Sequence, residues 1–168
     1  MRLKRKFFDR NTVIVARELL GKDLCRRMNG KVIKTRITET EAYCGTKDLA
    51  CHASKGLTPR TKIMFGPSGH AYVYMIYGMY HCLNVVTEGE GNPSAVLIRG
   101  AEGFKGPGRL CRGLNIDKKL NGADICLSRE IWLEEGDKIY RSRIKKGKRI
   151  GVDYAGKWKD KMWRFWYI

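Results

Sequence analysis

The 168-residue chain has no long hydrophobic run, no closely spaced cysteine pair and only half as many acidic as basic residues. Its longest apolar stretch, Ala71 to Tyr80, holds ten residues and contains Gly78. A membrane-spanning helix needs about 20, so no membrane partner is expected. The start, Met1-Arg2-Leu3-Lys4-Arg5-Lys6, has the charge of a signal peptide, but Phe7-Phe8-Asp9-Arg10 places no apolar segment behind it. The chain is therefore expected to stay in the cytosol. No two of its six cysteines are closer than seven positions, and there is no C-x-x-C. In Cys51-His52 and His81-Cys82 the two side chains would leave a strand on opposite faces, where they could not easily share an ion. Reduced, mostly buried thiols and no metal or other cofactor are expected. Internal repeats and low-complexity tracts are also missing, which predicts one domain spanning 1–168.

What is present is charge and enough apolar residues to build a core. Lys and Arg number 34 against 17 Asp and Glu, a formal net charge of +17, while 43% of residues are hydrophobic. That combination excludes a disordered basic tail and indicates a folded protein with a polyanionic partner. Between Lys138 and Arg149 stand seven basic residues in twelve with no acid. If this run is a strand-turn-strand bending at Lys146-Gly147, Arg141, Arg143 and Lys145 share one face. With Lys4-Arg5-Lys6, Lys105, Arg109, Arg112, Lys118 and Lys119 it points to phosphate contacts, which supply affinity and salt sensitivity without reading sequence.

The elements read as α+β, a mixed domain with a mainly antiparallel β-sheet core and a protruding β-hairpin. Val13, Val15, Ala16, Leu19 and Leu20 follow helical spacing behind the cap candidates Asp9 and Asn11 and ahead of Gly21. Asp23 to Met28, Asn29-Gly30 and Lys31 to Tyr43 read as strand, tight turn and strand. The glycine- and proline-bearing stretch from 44 to 70 reads as a long, irregular connection, of a kind that often carries function in compact domains. Ala71–Ile76 and Tyr80–Val86 form a hairpin tipped by Tyr77-Gly78-Met79. Ser94 to Ile98 is a strand ending at Arg99, and a glycine-rich turn leads into a short helix from Arg109 to Leu114 whose start suits a phosphate. Ile131–Leu133, Lys138–Ile144, Arg149–Val152 and Met162–Tyr167 close the chain as strands.

Two features suggest chemistry. Glu39 and Glu41 stand at i and i+2 near a strand end and so share a side with Ile33, Thr35 and Ile37. A carboxylate near the binding face of so basic a chain repels a polyanion, a cost that general base catalysis would justify, although two such residues are also an ordinary surface pair. Tyr72 and Tyr74 likewise share a face, and Tyr77 and Met79 sit at a turn where exposed apolar groups suit a wedge between base pairs.

Together these segments resemble the alkyladenine (3-methyladenine) DNA glycosylase family. The resemblance runs through Phe7-Phe8-Asp9, Ala16-Arg17-Glu18-Leu19-Leu20-Gly21, Glu39-Thr40-Glu41-Ala42-Tyr43, Thr58-Pro59-Arg60, Met64-Phe65 and Tyr72 to Tyr80. It continues through Asn84, Leu97 to Glu102, Gly106 to Cys111, Arg149-Ile150-Gly151-Val152 and Trp158. It implies a base-excision repair hydrolase that flips an alkylated or deaminated purine out of double-stranded DNA and cleaves its N-glycosidic bond. By motif position it implies that Glu41 activates the water and that Arg99 helps hold that water and the carboxylate. Tyr43, His52 and Tyr74 then stack on the base, Asn84 crowds the 2-amino position, and Tyr77, supported by Met79, fills the gap in the duplex. Arg60, Lys105, Arg109, Arg112, Arg141 and Arg143 would meet the backbone. A cationic purine between aromatic rings gains about 0.5–2 kcal/mol of cation–π attraction. Between Glu102 and Gly106 a segment of longer relatives is missing.

The expected setting is the nucleoid-associated cytoplasm of a prokaryote or the nucleus of a eukaryote, with the chain acting as a monomer. The alternative that charge and wedge alone allow is a non-catalytic basic module for distorted DNA or structured RNA. A zinc-dependent base deaminase fails on spacing, because no H-x-E is paired with P-C-x-x-C.

Overall fold

Asn11 opens the main N-terminal helix because its side-chain oxygen accepts hydrogen bonds from the Val13 and Ile14 N–H groups, two of the donors that a helix start leaves free. The computed structural model describes residues 1–168. A single turn, α1 (Arg5–Phe8), precedes this helix, α2 (Thr12–Glu18). Val15, Ala16, Leu19 and Leu20 are all buried, as their spacing predicts. Gly21 follows at φ +83°, and a Cβ there would fall on the Asp137 carbonyl oxygen and 2.7 Å from Ile139 Cγ1. Gly21→Ala is expected to cost about 2–4 kcal/mol, from the left-handed backbone and the overpacking together, which the urea midpoint would report.

The strands follow in the expected order. β1 (Asp23–Met28) turns through Asn29-Gly30, at φ 49° and 76°, into the 14-residue β2 (Lys31–Cys44). Next come β3 (Ala71–Ile76), β4 (Tyr80–Val86), β5 (Ser94–Ala101) and the short β6 (Phe104–Lys105). Helix α3 (Pro107–Gly113), β7 (Ile131–Glu134), β8 (Ile144–Gly147) and β9 (Arg164–Tyr167) complete the chain. All pairings are antiparallel, in the order β3-β4-β5-β2-β1-β7, with β6 on β5 and the β8-β9 pair on β2. The architecture is α+β around a mainly antiparallel sheet, and the β3-β4 hairpin ends in the exposed Tyr77 and Met79.

The first half of β2 pairs with β1 and the second half with β5, with register shifts between Ile37, Glu39 and Thr40. Around Glu39–Glu41 the other edge of β2 pairs with β9, so this stretch lies inside the sheet. Successive partners Tyr72, Asn84, Leu97, Glu41 and Arg164 form one row across β3, β4, β5, β2 and β9. Helix α2 packs over β2, β5 and β9, and α3 over β4, β5 and β6, which encloses the main core. The segment 45–70 contributes Cys51, Ala53 and Met64 to a second cluster with Tyr72, Val86 and Ala95.

Several expectations need correction. Residues 138–144 do not form a strand: Arg141–Arg143 make one 3₁₀ turn, and pairing begins only at Ile144. Gly147 is not a bend. It pairs with Arg164 and lies against the Trp166 ring, where a Cβ would come within 3.1 Å. Arg141, Arg143 and Lys145 therefore do not line one strand face, although all three are exposed. Residues 149–152 are irregular, with Arg149 buried. Strand β5 continues past Arg99 because Gly100 and Ala101 pair with β6. Helix α3 starts at Pro107 rather than Arg109, and a proline has no N–H to offer a phosphate. Arg5 does not project for phosphate contact either, since it pairs with Asp124 and donates to the Ser68 carbonyl.

Candidate active site

A cavity of about 400 Å³ opens above the sheet between the β3-β4 hairpin and the 150–154 segment. Its size falls within the range of small-ligand sites, ~300–1,000 Å³. The sheet supplies the floor through alternation: Tyr72 and Tyr74 on β3, Cys82 and Asn84 on β4, Leu97 and Arg99 on β5. The His52 and Tyr74 rings lie 4.5 Å apart, the Tyr72 and Tyr74 rings 5.3 Å apart, and His52 Nδ1 is hydrogen-bonded to the Tyr72 hydroxyl at 2.8 Å. These three rings touch one another and form a single wall, so a planar ligand must lie beside them rather than between His52 and Tyr74. Burial, aided by Arg60, lowers His52 to about 4, which leaves it a neutral aromatic at pH 7.

Tyr43 lines the cavity as well, and its hydroxyl donates to Glu41 Oε2 at 2.6 Å. The Ile150 N–H donates to Glu41 Oε1 at 2.7 Å, and Arg99 Nε lies 3.6 Å from the same oxygen. Glu41 itself is 0% exposed and stands one side-chain layer behind the wall made by the residues that hold it. Burial raises its carboxyl above the usual range, against the opposing pull of Arg99, Tyr43 and Ile150. The Tyr43 phenol is pushed well up by burial and by Glu41, so it remains a donor. The arrangement is a buried carboxylate with two strong donors and one nearby cation, set directly behind the wall of an aromatic cavity, a setting in which a carboxylate can act as a base.

Of the other residues singled out from sequence, Asn84 is buried, with Nδ2 donating to the Tyr72 carbonyl at 3.1 Å. Tyr77 lines the cavity mouth at 87% exposure, and Met79, 60% exposed, stands beyond it at the hairpin tip. Arg60 lines the mouth with its guanidinium 5.3 Å from the Tyr74 ring. Lys105, Arg109 and Arg112 are exposed around the start of α3, where Arg112 lies over Tyr80 and Pro107 reaches the cavity. Arg141 and Arg143 are exposed, but Arg143 is also held by the Ile168 carbonyl. The two basic segments lie toward opposite ends of the strand row, one beside the hairpin and one leading through β8 to Ile150. All six cysteines are free, and burial pushes Cys25 up to about 11 and Cys44, Cys51 and Cys111 up to about 12.

Sequence reasoning missed the support behind Tyr43. Arg149 forms a fully buried, bidentate ion pair with Asp48, at 2.6 and 2.9 Å, and places its guanidinium 4.8 Å from the Tyr43 ring. It also donates to the carbonyls of Ala42 and Trp158. One signal was available: Asp48 is the only acid between Ala42 and Thr87, an anomaly in so basic a chain. Tyr154, which lines the mouth at 70% exposure, and the Ile150 N–H had no comparable signal.

Comparison with known proteins finds relatives that align with nearly the whole chain. Three relatives provisionally named 3-methyladenine DNA glycosylase are 48% identical in Methanocella arvoryzae, 51% in Legionella pneumophila strain Paris and 47% in Myxococcus xanthus. Each alignment covers 98% of this chain and, respectively, 91, 93 and 89% of the relative. The methylpurine-DNA glycosylase family model matches residues 6–105 and 103–168, two pieces that overlap at the tight β5-β6 turn. With both pieces matched and the strand row intact across their junction, the chain belongs to the methylpurine-DNA glycosylase family.

Proposed function

We propose that the protein excises alkylated or deaminated purines, of the 3-methyladenine, 7-methylguanine, hypoxanthine and ethenoadenine class, from double-stranded DNA. A single observation carries this reading: the buried Glu41 carboxylate is held by Tyr43, Ile150 and Arg99 at the wall of an aromatic cavity large enough for a purine. In this reading the damaged nucleotide leaves the stack and its base lies between Tyr43 and the His52–Tyr74 wall. Extrusion costs a few kcal/mol, which Tyr77 offsets by filling the gap with Met79 behind it. Asn84, fixed by the Tyr72 carbonyl, crowds a purine 2-amino group.

Water reaches the carboxylate past the Tyr43 hydroxyl and the Arg99 guanidinium. Glu41 takes a proton from it, the remaining hydroxide bonds to C1′, and the C1′–N bond breaks with its electron pair leaving on the purine. The negative carboxylate also stabilises the cationic sugar that develops at C1′. Arg60, Lys105, Arg109, Arg112, Arg141 and Arg143 hold the backbone of the duplex. The protein acts as a monomer, and these groups supply the reaction's charges without a metal.

A duplex carrying one hypoxanthine or ethenoadenine, incubated with the protein and then treated with alkali, tests the reading. Strand breaks at the lesion are expected, at a rate EDTA leaves unchanged. Binding without breaks would instead identify a non-catalytic DNA-binding module.

A further inference from the structure

Strand β2 presents two carboxylates to one guanidinium. Glu39 Oε1 accepts from Arg99 Nε at 3.3 Å and from Arg164 Nη1 at 3.1 Å, whereas Glu41 Oε1 lies 3.6 Å from that same Arg99 Nε. Opposite charges thus alternate through Arg164, Glu39, Arg99 and Glu41, on strands β9, β2, β5 and β2. The register shifts flanking Glu39 belong to this arrangement, since such irregularities re-aim side chains next to functional sites. The two carboxylates are not equivalent. Glu41 is fully buried and bound by two further donors, while Glu39 is 23% exposed and its carboxylate is hydrogen-bonded to Arg99 and Arg164.

We propose that Glu39 is a positioning residue for excision: it holds Arg99 at the cavity wall and keeps that guanidinium from closing a tight ion pair with Glu41. This rests on the reading of Glu41 as the base. A guanidinium beside a single carboxylate pairs with it closely, often through two bonds. Arg99 instead gives its better hydrogen bond to Glu39, and Arg164, tied to the Lys148 carbonyl and the Trp166 ring, secures the far side of Glu39. Without the Glu39 charge, Arg99 has only Glu41 left to pair with. The closer pair makes Glu41 a weaker base and draws Arg99 away from the water it helps to hold. The groups facing Glu41 are Arg99 from β5, Tyr43 from β2, the Ile150 N–H, and Tyr74 and Cys82 from β3 and β4, which burial keeps neutral. Removing the neighbouring negative charge and tightening the Arg99 contact act in one direction: both ease ionisation of Glu41.

Single-turnover excision of a hypoxanthine-containing duplex, followed against pH, tests this with Glu39→Gln. The expected result is an acid limb displaced to lower pH and a plateau rate lowered about tenfold. Duplex binding should stay within about twofold, and Glu39→Asp should restore part of the plateau because it keeps the charge. Arg164→Gln provides a second arm with the opposite sign, since it removes a positive charge from the group and should move the limb upward. Unmoved limbs in both variants would overturn the proposal, as would equal losses in Glu39→Gln and Glu39→Asp that follow only a lowered melting temperature. If the wild-type protein shows no excision, it is the reading of Glu41 that fails.

Discussion

Glu41→Gln is expected to reduce single-turnover excision by about 10²–10⁴-fold while leaving affinity for the damaged duplex intact. The substitution keeps the shape of the side chain. Its oxygen can still accept from the Ile150 N–H, and its amide can donate to the Tyr43 oxygen, so the cavity wall need not move. What is lost is the ability to take a proton and the negative charge opposite the developing cation at C1′. The wild-type pH profile follows from the same environment. Burial holds the Glu41 carboxyl above its ordinary range, and only the ionised form is a base, so the rate should rise through an acid limb displaced upward from that range. Stability should respond with the opposite sign. A carboxyl whose folded value is raised imposes no penalty below its unfolded value and the full penalty above its folded one. At pH 8 the Gln variant should therefore melt no lower than the wild type. Excision and calorimetry on the same preparations check both halves. A Gln variant that excises at the wild-type rate would remove Glu41 from the mechanism.

Much of this site could be read from residue chemistry because its parts lie on locally determined elements. Asn29-Gly30 sets the β1-β2 turn, and Tyr77-Gly78, both at positive φ, set the β3-β4 hairpin whose tip exposes Tyr77 and Met79. Strand alternation then puts Tyr72 beside Tyr74 and Glu39 beside Glu41. The row from Tyr72 to Glu41 needs the pairing of four strands, which alternation alone does not specify. The basic run after Lys138 misled for a related reason. Its fate is decided by distant partners: β8 by β9, Gly147 by the Trp166 ring, and Arg149 by Asp48, 101 positions earlier. The same contacts sharpen the meaning of the +17 charge. Arg5, Arg36, Arg99, Arg149 and Arg164 are committed to internal ion pairs, so they add to the total without being free to meet phosphate.

Arg149→Met is expected to destabilise the protein by about 3–5 kcal/mol, because it leaves the Asp48 charge buried without its counter-ion. Asp48 would retain only the Cys44 and Ala50 N–H groups as donors. Arg149 Nε is itself buried with no partner, so the native pair already carries a desolvation cost, and a neutral replacement need not be worse. Combining Arg149→Met with Asp48→Asn should accordingly recover much of the stability, with a favourable coupling in the double-mutant cycle. Excision should not recover with it. Arg149 lies over the Tyr43 ring, ties the Ala42 and Trp158 carbonyls together, and immediately precedes the Ile150 N–H that holds Glu41. An uncharged Met cannot reproduce that alignment, and positional errors of about 1 Å at reacting groups cost on the order of 10²-fold in rate. Urea unfolding and single-turnover excision on the two single variants and the double variant separate the effects. If excision returns in proportion to stability, the pair serves only the fold. If stability returns while excision stays low, the buried pair aligns Tyr43 and Glu41 from behind the cavity wall.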